Sequence, residues 1–222
     1  MFFSFEKFLK KPLPEKPIFF DVGSNRGQWI EEAVANYPNC VIYAFEPIPN
    51  ITPNYQNVIL TNCAVDVNEI ENRKFYITAD DVTSSLLELN EEVTNGFVDF
   101  VDNNGVLHKA SDFDITKVIN VDTIRLDSFI NENGINEIHY LKIDTEGNDL
   151  SVFKSLGDKY SIVWSFEIEV WNEEITLFKN SAWRDPCIDF IENRGFSVVD
   201  QFIHGKGKTT DLLFIRNSLI KD

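Results

Sequence analysis

Three acidic residues, each at the end of an apolar run, are the first candidates for chemistry. Asp21 lies in IFFDVGSNRG, Glu46 closes VIYAFE, and Asp144 closes EIHYLKID. In an open α/β sheet, ligands bind beyond the carboxyl ends of the parallel strands, where such residues meet. A carboxylate at the end of the second strand can accept hydrogen bonds from both hydroxyls of a ribose. The pattern therefore predicts a ribose-containing ligand, with Glu46 on the ribose.

The segment after Asp21 has two glycines that bring backbone close to such a ligand. Gly23 allows a sharp turn from strand to helix, and Gly27 lets the start of the helix approach the ligand. A dinucleotide fingerprint needs another glycine where Asn25 stands, so a pyrophosphate fits this loop poorly. S-Adenosylmethionine carries a ribose and two cationic groups without a diphosphate, and the Asp21 carboxylate favours those cations. A nicotinamide-dependent oxidoreductase stays open as an alternative.

Strand and helix patterns alternate along the chain and decide where these residues lie. Apolar runs predict strands at 18–22, 41–46, 57–65, 73–78, 118–126, 137–144, 160–170, 196–203 and 210–216. Helical periodicity predicts helices at 28–36, 149–156 and 186–194, with a short one capped by Asp127 that ends at Asn133 and Gly134.

Most of these strands are continuously apolar, which indicates that both of their faces are covered. Alternation of strands and helices then favours an open parallel sheet with helices on each side. The last two strands are joined by HGKGKT, which is too short for a parallel crossover. We therefore expect an α/β fold with a Rossmann-like, doubly wound, mostly parallel sheet and an antiparallel hairpin at its C-terminal edge.

The net charge and the cysteine count limit which kinds of partner and compartment we expect. The net charge of −16 argues against nucleic acid or an anionic membrane as the main partner. Three cysteines without metal-ligand spacing favour a reducing compartment, and we expect a cytoplasmic protein. No apolar run is long enough to cross a membrane. The expected partner is a small-molecule or glycan acceptor, and the oligomeric state stays open.

The chain divides into an N-terminal segment and one domain. Residues 1–17 are rich in aromatic and basic residues and end in three prolines. We expect Phe2, Phe5 and Phe8 to dock on the domain, with a helix lying on a lipid surface as the alternative. Residues 18–222 form the domain, in which 80–117 has few periodic cues and is expected to be an insertion on the acceptor side.

Four motifs in order resemble the FkbM-type S-adenosylmethionine-dependent methyltransferases. They are FFDVGSNRG, AFEP, TIRLDSF and LKIDTEG, and the resemblance spans about residues 18–216. It implies a class I methyltransferase fold and transfer of a methyl group to a hydroxyl of a sugar, glycan or related product. The family often has a histidine or aromatic residue followed by glutamate where Asn148 and Asp149 stand here. A cofactor-binding relative without turnover is therefore a further alternative.

The resemblance also implies a set of cofactor-binding residues. Those for the methionine part are Asp21, Gly23, Ser24, Asn25 and Gly27. Glu46, followed by Pro47, would hold the ribose; Ala64 and Val65 would lie near the adenine; Ser85 and Asp144 would complete the pocket.

A neutral sugar hydroxyl is a poor nucleophile, so a base or a metal should assist it. Asp144 and Glu146 are the leading candidates, because crowded carboxylates titrate higher than in water. His204, in the terminal hairpin, is a further candidate for a catalytic residue. A divalent metal held by Asp144 and Glu146 stays open, since two acids do not establish one. For Asp144, hydrogen bonding to the cofactor or substrate is as well supported as catalysis.

Overall fold

Strands and helices alternate along the chain in the computed structural model, which describes residues 4–52, 54–96, 98–101, 107–204 and 207–221. The strands are β1 (Ile18–Val22), β2 (Val41–Phe45), β3 (Val58–Thr61), β4 (Ala64–Val65), β5 (Arg73–Thr78), β6 (Phe100–Val101), β7 (Leu107–His108), β8 (Ile115–Val121), β9 (Thr123–Ile124), β10 (Tyr140–Ile143), β11 (Ser165–Trp171), β12 (Phe196–His204) and β13 (Thr209–Arg216). The helices are α1 (Gln28–Asn36), α2 (Glu91–Thr94), α3 (Leu126–Glu132), α4 (Asp149–Lys154) and α5 (Arg184–Glu192).

The main sheet has the strand order β12-β13-β11-β10-β1-β2-β3. The strands from β11 to β3 are parallel, whereas β13 runs antiparallel to both β11 and β12. This confirms the predicted fold class, including the hairpin at the edge; Gly205 and Lys206 of its turn lie outside the described residues. The strand order reverses between β1 and β10, so a ligand site is expected at their carboxyl ends.

Both faces of the sheet are covered by apolar side chains, as the continuous runs predicted. Neighbouring residues of β1 point to opposite faces: Phe20 joins a core with Leu141 and Phe166, and Phe19 joins another with Tyr140. Each of these aromatic and aliphatic side chains is completely buried. Burial of one such side chain contributes roughly 1.5–3 kcal/mol, which fixes the sheet that positions the site.

The N-terminal segment docks on the second of these cores. A short 3-10 helix at Phe5–Phe8 inserts Phe5, whose ring centroid is 4.5 Å from that of Tyr140 and which is completely buried. Leu9 forms a bridge to Ile220 near the other end of the described chain. The expected docking is therefore confirmed for Phe5, whereas Phe2 lies outside the described residues.

Smaller sheets lie beside the main one. β4 pairs with β9, β5 with β8, and β6 with β7. The connection after β5 crosses toward the main sheet through a 3-10 helix at Asp81–Thr83. All three cysteines are buried free thiols. Among the residues that the structure describes, no helix is long and apolar enough to cross a bilayer.

Several details of the predicted elements are wrong. The predicted strand 118–126 is divided into β8 and β9, and its last residue, Leu126, begins α3. Asp127 does not cap α3, because the residue before the helix is Arg125. The Asp127 carboxylate instead forms an ion pair with the Arg125 guanidinium, with 2.9 Å between Arg125 Nε and Asp127 Oδ1. The predicted third strand is divided into β3 and β4 by Asn62 and Cys63. The predicted strand 160–170 begins only at Ser165, because a 3-10 helix occupies Lys159–Ile162.

Candidate functional site

A cavity of about 340 Å³ opens at the carboxyl ends of β1, β2 and β10. The lining residues of the strand ends and loops are Gly23, Ser24, Asn25, Glu46, Pro47, Lys142, Asp144, Thr145, Glu146 and Asn148. Its apolar part is lined by residues that include Phe45, Ile48, Cys63, Ala64, Val65, Phe75 and Leu86. A space with one polar and one apolar part suits a ligand that has both kinds of group.

The loop from Gly23 to Gly27 holds its shape through left-handed backbone at alternate positions. The φ angles are 80° at Gly23, 42° at Asn25 and 80° at Gly27. A Cβ on Gly23 would lie 1.8 Å from the carbonyl oxygen of Asp144, so this position requires glycine. Asparagine is among the few other residues that tolerate a positive φ, which explains how Asn25 fits where the dinucleotide pattern has glycine. Gly27 precedes α1 and does not itself line the cavity.

Glu46 is the buried carboxylate of the cavity. Its Oε2 accepts a hydrogen bond from the Asn25 backbone N–H and its Oε1 from that of Ile48, each at 2.8 Å. Burial raises the pKa of Glu46 to about 7, although both hydrogen bonds oppose this shift. Each carboxylate oxygen keeps a second lone pair, so Glu46 can still accept hydrogen bonds from two ligand hydroxyls.

Asp21 lies behind the cavity wall rather than in it. It is one residue before the end of β1, and its carboxylate is completely buried on the sheet face. Lys142 Nζ lies 3.2 Å from Asp21 Oδ1 and 3.3 Å from Asp144 Oδ2. Burial lowers the pKa of Lys142, but the carboxylates of Asp144 and Asp21 outweigh it and raise the pKa overall. Lys142, which does line the cavity, was given no role by the sequence analysis.

Acidic side chains crowd the second loop. Oxygens of Asp144, Glu146 and Glu169 lie within 4.8 Å of one another. Glu146 has a left-handed φ of 54°, and burial together with the charges of Glu169 and Asp144 raises its pKa well above the ordinary value. Asp149 holds the loop by accepting the backbone N–H groups of Thr145 and Gly147, each at 2.9 Å. Such a loop presents Glu146 as a group that binds a proton more tightly than an ordinary glutamate does.

His204 lies one layer away from the cavity. Its Nε2 is 3.0 Å from Asp211 Oδ1 and 3.1 Å from Glu169 Oε1, and its Nδ1 is 3.1 Å from the Thr209 hydroxyl. Because Glu169 is also near Glu146, His204 reaches the cavity through that carboxylate. Direct contact of His204 with a molecule in the cavity is not supported by this arrangement.

The segment that follows β5 closes the cavity, and the sequence analysis did not find this role. Asp81, Val82 and Ser84 line the cavity, and Asp81 forms an ion pair with Arg26 of the first loop. Ser85, the residue expected in the pocket, instead donates a hydrogen bond to the Glu146 carbonyl at 2.7 Å. The segment has no motif or periodicity that could have indicated its position.

Among the residues that the structure describes, two groups of side chains have donors that a divalent cation takes. They are Asp144, Glu146 and Glu169, and Glu169, His204 and Asp211. In the first group Asp144 also contacts the ammonium of Lys142, and in the second His204 contacts both carboxylates. Three such side chains can hold a metal but do not by themselves establish one.

Comparison with known proteins gives matches that cover most of the chain. A family model described as "Methyltransferase FkbM domain" matches residues 21–208. "Methyltransferase 1" of Beauveria bassiana (strain ARSEF 2860) is 25% identical over 198 residues, which are 84% of this chain and 75% of that protein. A fibrillarin/Nop5p complex aligns with a TM-score of 0.41 and 10% identity over 93% of this chain and 76% of that chain. An antibiotic-related methyltransferase aligns with a TM-score of 0.32 and 11% identity over 90% and 86%.

Proposed function

Because this chain belongs to the FkbM methyltransferase family, we propose that it transfers a methyl group from S-adenosylmethionine to a hydroxyl group of a sugar, glycan or related small molecule. The observation that carries the cofactor assignment is the position of Glu46. It lies at the end of β2, between the glycine loop that follows β1 and the apolar residues near β4. A nucleoside would span these three positions in the same order.

The cavity supports one orientation of the cofactor. The adenine would lie in the apolar part, between side chains such as Ile48, Ala64 and Val65. The ribose hydroxyls would donate to Glu46, and the methionine part would lie along the loop from Gly23 to Asn25. The net negative charge of the second loop favours the cationic sulfonium and ammonium groups there.

Methyl transfer is an in-line displacement, so the protein must align the acceptor oxygen, the methyl carbon and the sulfur. The oxygen forms a bond to carbon, the carbon–sulfur bond breaks, and the hydroxyl proton must leave the acceptor. We propose Glu146 as the group that takes this proton, because its pKa is raised and its carboxylate lies beside Asp144 at the cavity. Asp144 would orient the acceptor or cofactor, and His204 would act only through Glu169.

The charges around the second loop support a neutral acceptor with several hydroxyls. Carboxylates accept hydrogen bonds from hydroxyl groups, whereas an anionic acceptor would be repelled by Asp144, Glu146 and Glu169. Residues 80–117 supply Asp81 and Val82 to the cavity, which supports their proposed place on the acceptor side. The alternative of a nicotinamide-dependent oxidoreductase gains nothing from the family match.

Calorimetry with S-adenosylhomocysteine tests the cofactor assignment. We expect binding by the native chain and loss of about 1–3 kcal/mol of binding free energy in Glu46→Gln, which removes the charged acceptor of the ribose hydroxyls. Glu71→Gln is the matched control, since Glu71 is exposed and outside the cavity. Absence of heat and of thermal stabilisation with the native chain would refute the proposed function.

Incubation with labelled S-adenosylmethionine and a mixture of glycans and small glycosides tests the acceptor class. We expect label in a product that mass spectrometry identifies as an O-methyl ether. Label found only on nitrogen or carbon would contradict the proposed hydroxyl acceptor.

A further inference from the structure

Lys142 carries a buried ammonium in the middle of the main sheet. It lies directly opposite Asp21 on β1 and Glu167 on β11, so the three side chains share one face. The side chain of Lys142 is only 11% exposed. A buried charge is strongly unfavourable unless it is paired and hydrogen-bonded, so the partners of this ammonium determine what it does.

The ammonium has three N–H donors and three close acceptors. Nζ donates to the Gly23 carbonyl oxygen at 2.8 Å and lies 3.2 Å from Asp21 Oδ1 and 3.3 Å from Asp144 Oδ2. Gly23 belongs to the first loop of the cavity and Asp144 to the second. Lys142 therefore joins the two loops that flank the proposed cofactor and methyl-transfer site, next to the tight contact between Gly23 and the Asp144 carbonyl.

Asp144 is otherwise surrounded by negative charge. Its side chain is about half exposed at the cavity and faces five charged groups. They are Lys142 on β10, Asp21 on β1, Glu146 on its own loop, Glu169 on β11 and Asp149 on α4. Lys142 is the cation in this set, so the position of the Asp144 carboxylate depends on its contact.

We propose that Lys142 is a positioning residue, whose ammonium holds the Asp144 carboxylate in the cavity wall and ties the Asp144 loop to the Gly23 loop. This inference rests on the proposed function, because it matters for methyl transfer only if the cofactor and acceptor bind at these loops. Lys142 itself acts through Asp144 and Gly23 and does not touch the reacting atoms.

A pair of variants separates this role from simple support of the fold. Lys142→Met alone would leave the buried Asp21 carboxylate without its counter-charge. The double variant Asp21→Asn/Lys142→Met removes the buried pair together, and Asp21→Asn alone is the reference that keeps the Lys142–Asp144 contact. The carboxyl carbon of Asp144 is followed by NMR at constant pH on protein labelled with ¹³C at the aspartate carboxyl carbon, and Asp144→Asn identifies its signal.

We expect the ¹³C signal of the Asp144 carboxyl carbon to shift and to broaden in the double variant relative to Asp21→Asn, because the carboxylate loses the ammonium that holds it in place. A lysine that supports only the fold would leave this signal unchanged. A signal with the same position and width in both variants would overturn the inference. Binding of S-adenosylhomocysteine by the native chain is measured in parallel: binding with an unchanged signal overturns only the role of Lys142, and no binding overturns the proposed function and this role together.

A second measurement covers the case in which the double variant does not fold. The ¹⁵N signal of the Lys142 ammonium is observed in the native chain and in Asp144→Asn, which keeps the buried pair with Asp21. We expect the signal to shift and its hydrogens to exchange at least threefold faster in Asp144→Asn. An unchanged signal and exchange rate would show that the ammonium does not hold Asp144.

Discussion

Replacement of Gly23 by alanine tests the close contact of the two loops on which the site depends. An alanine at φ 80° costs about 1–2 kcal/mol, because L-residues disfavour the left-handed region. The new Cβ would lie 1.8 Å from the Asp144 carbonyl oxygen, although Cβ atoms essentially never approach within 3.0 Å. The loops must therefore separate by more than 1 Å, which breaks the hydrogen bond from Lys142 to the Gly23 carbonyl.

The expected loss of stability follows from these two effects. A hydrogen bond from a charged donor contributes about 1.5–3 kcal/mol, so Gly23→Ala should lose roughly 2.5–5 kcal/mol in all. For a chain of this length that corresponds to a fall in Tm of roughly 5–20 °C. Binding of S-adenosylhomocysteine should weaken as well, since the loop that would hold the methionine part is displaced.

The chain offers a matched control in Gly195. Its φ is 84°, and a Cβ there would meet nothing within 4 Å. Gly195→Ala should therefore lose only the roughly 1–2 kcal/mol of the left-handed backbone. Thermal unfolding and calorimetry of both variants give the comparison. If Gly23→Ala is no less stable than Gly195→Ala and binds S-adenosylhomocysteine normally, the close contact of the loops is refuted.

Four further predictions concern Glu46, Asp81 and Phe5. Burial raises the pKa of Glu46 from 4.5 to about 7, so the folded chain binds the carboxyl proton of Glu46 more tightly than the unfolded chain does. The free energy of unfolding should therefore fall as pH rises from about 4.5 to 7. Glu46→Gln should reduce this dependence on pH, as measured by urea unfolding. Ribose hydroxyls donate best to the ionised carboxylate, so affinity for S-adenosylhomocysteine should increase through pH 7, and a flat profile would argue against Glu46 as the acceptor. Asp81→Ala removes the ion pair with Arg26 and should speed cofactor dissociation by about two- to fivefold, a modest effect because the pair is partly exposed. An unchanged rate in stopped-flow would show that this segment does not close the cavity. Phe5→Ala should lose about 3–5 kcal/mol in urea unfolding, whereas a loss below 1 kcal/mol would mean that the N-terminal segment is not part of the core.

Much of the fold could be predicted from local sequence, because apolar runs, helical periodicity and turn residues act over a few neighbouring positions. The apolar run of β1 and the periodicity of α1 gave the bounds 18–22 and 28–36, which the structure confirms. The six-residue segment HGKGKT between the predicted strands 196–203 and 210–216 required an antiparallel hairpin, which the structure has between β12 and β13. Asp127 was misplaced because the choice between capping a helix and pairing with Arg125 depends on where the guanidinium lies, and adjacent sequence does not decide that.

The sequence by itself determined that an acid, two glycines and a second acid would meet at one edge of a parallel sheet, because strand ends and turn residues are local features. Only the tertiary structure decided which carboxylates face the cavity. Asp21 faces Lys142 behind the wall, whereas Glu46 lies inside, and the difference depends on side-chain direction and strand register. The cover over the cavity by Asp81 and Val82, and the link from His204 through Glu169, join segments far apart in the chain. Such contacts form only when the whole sheet has assembled, so no local sequence pattern predicts them.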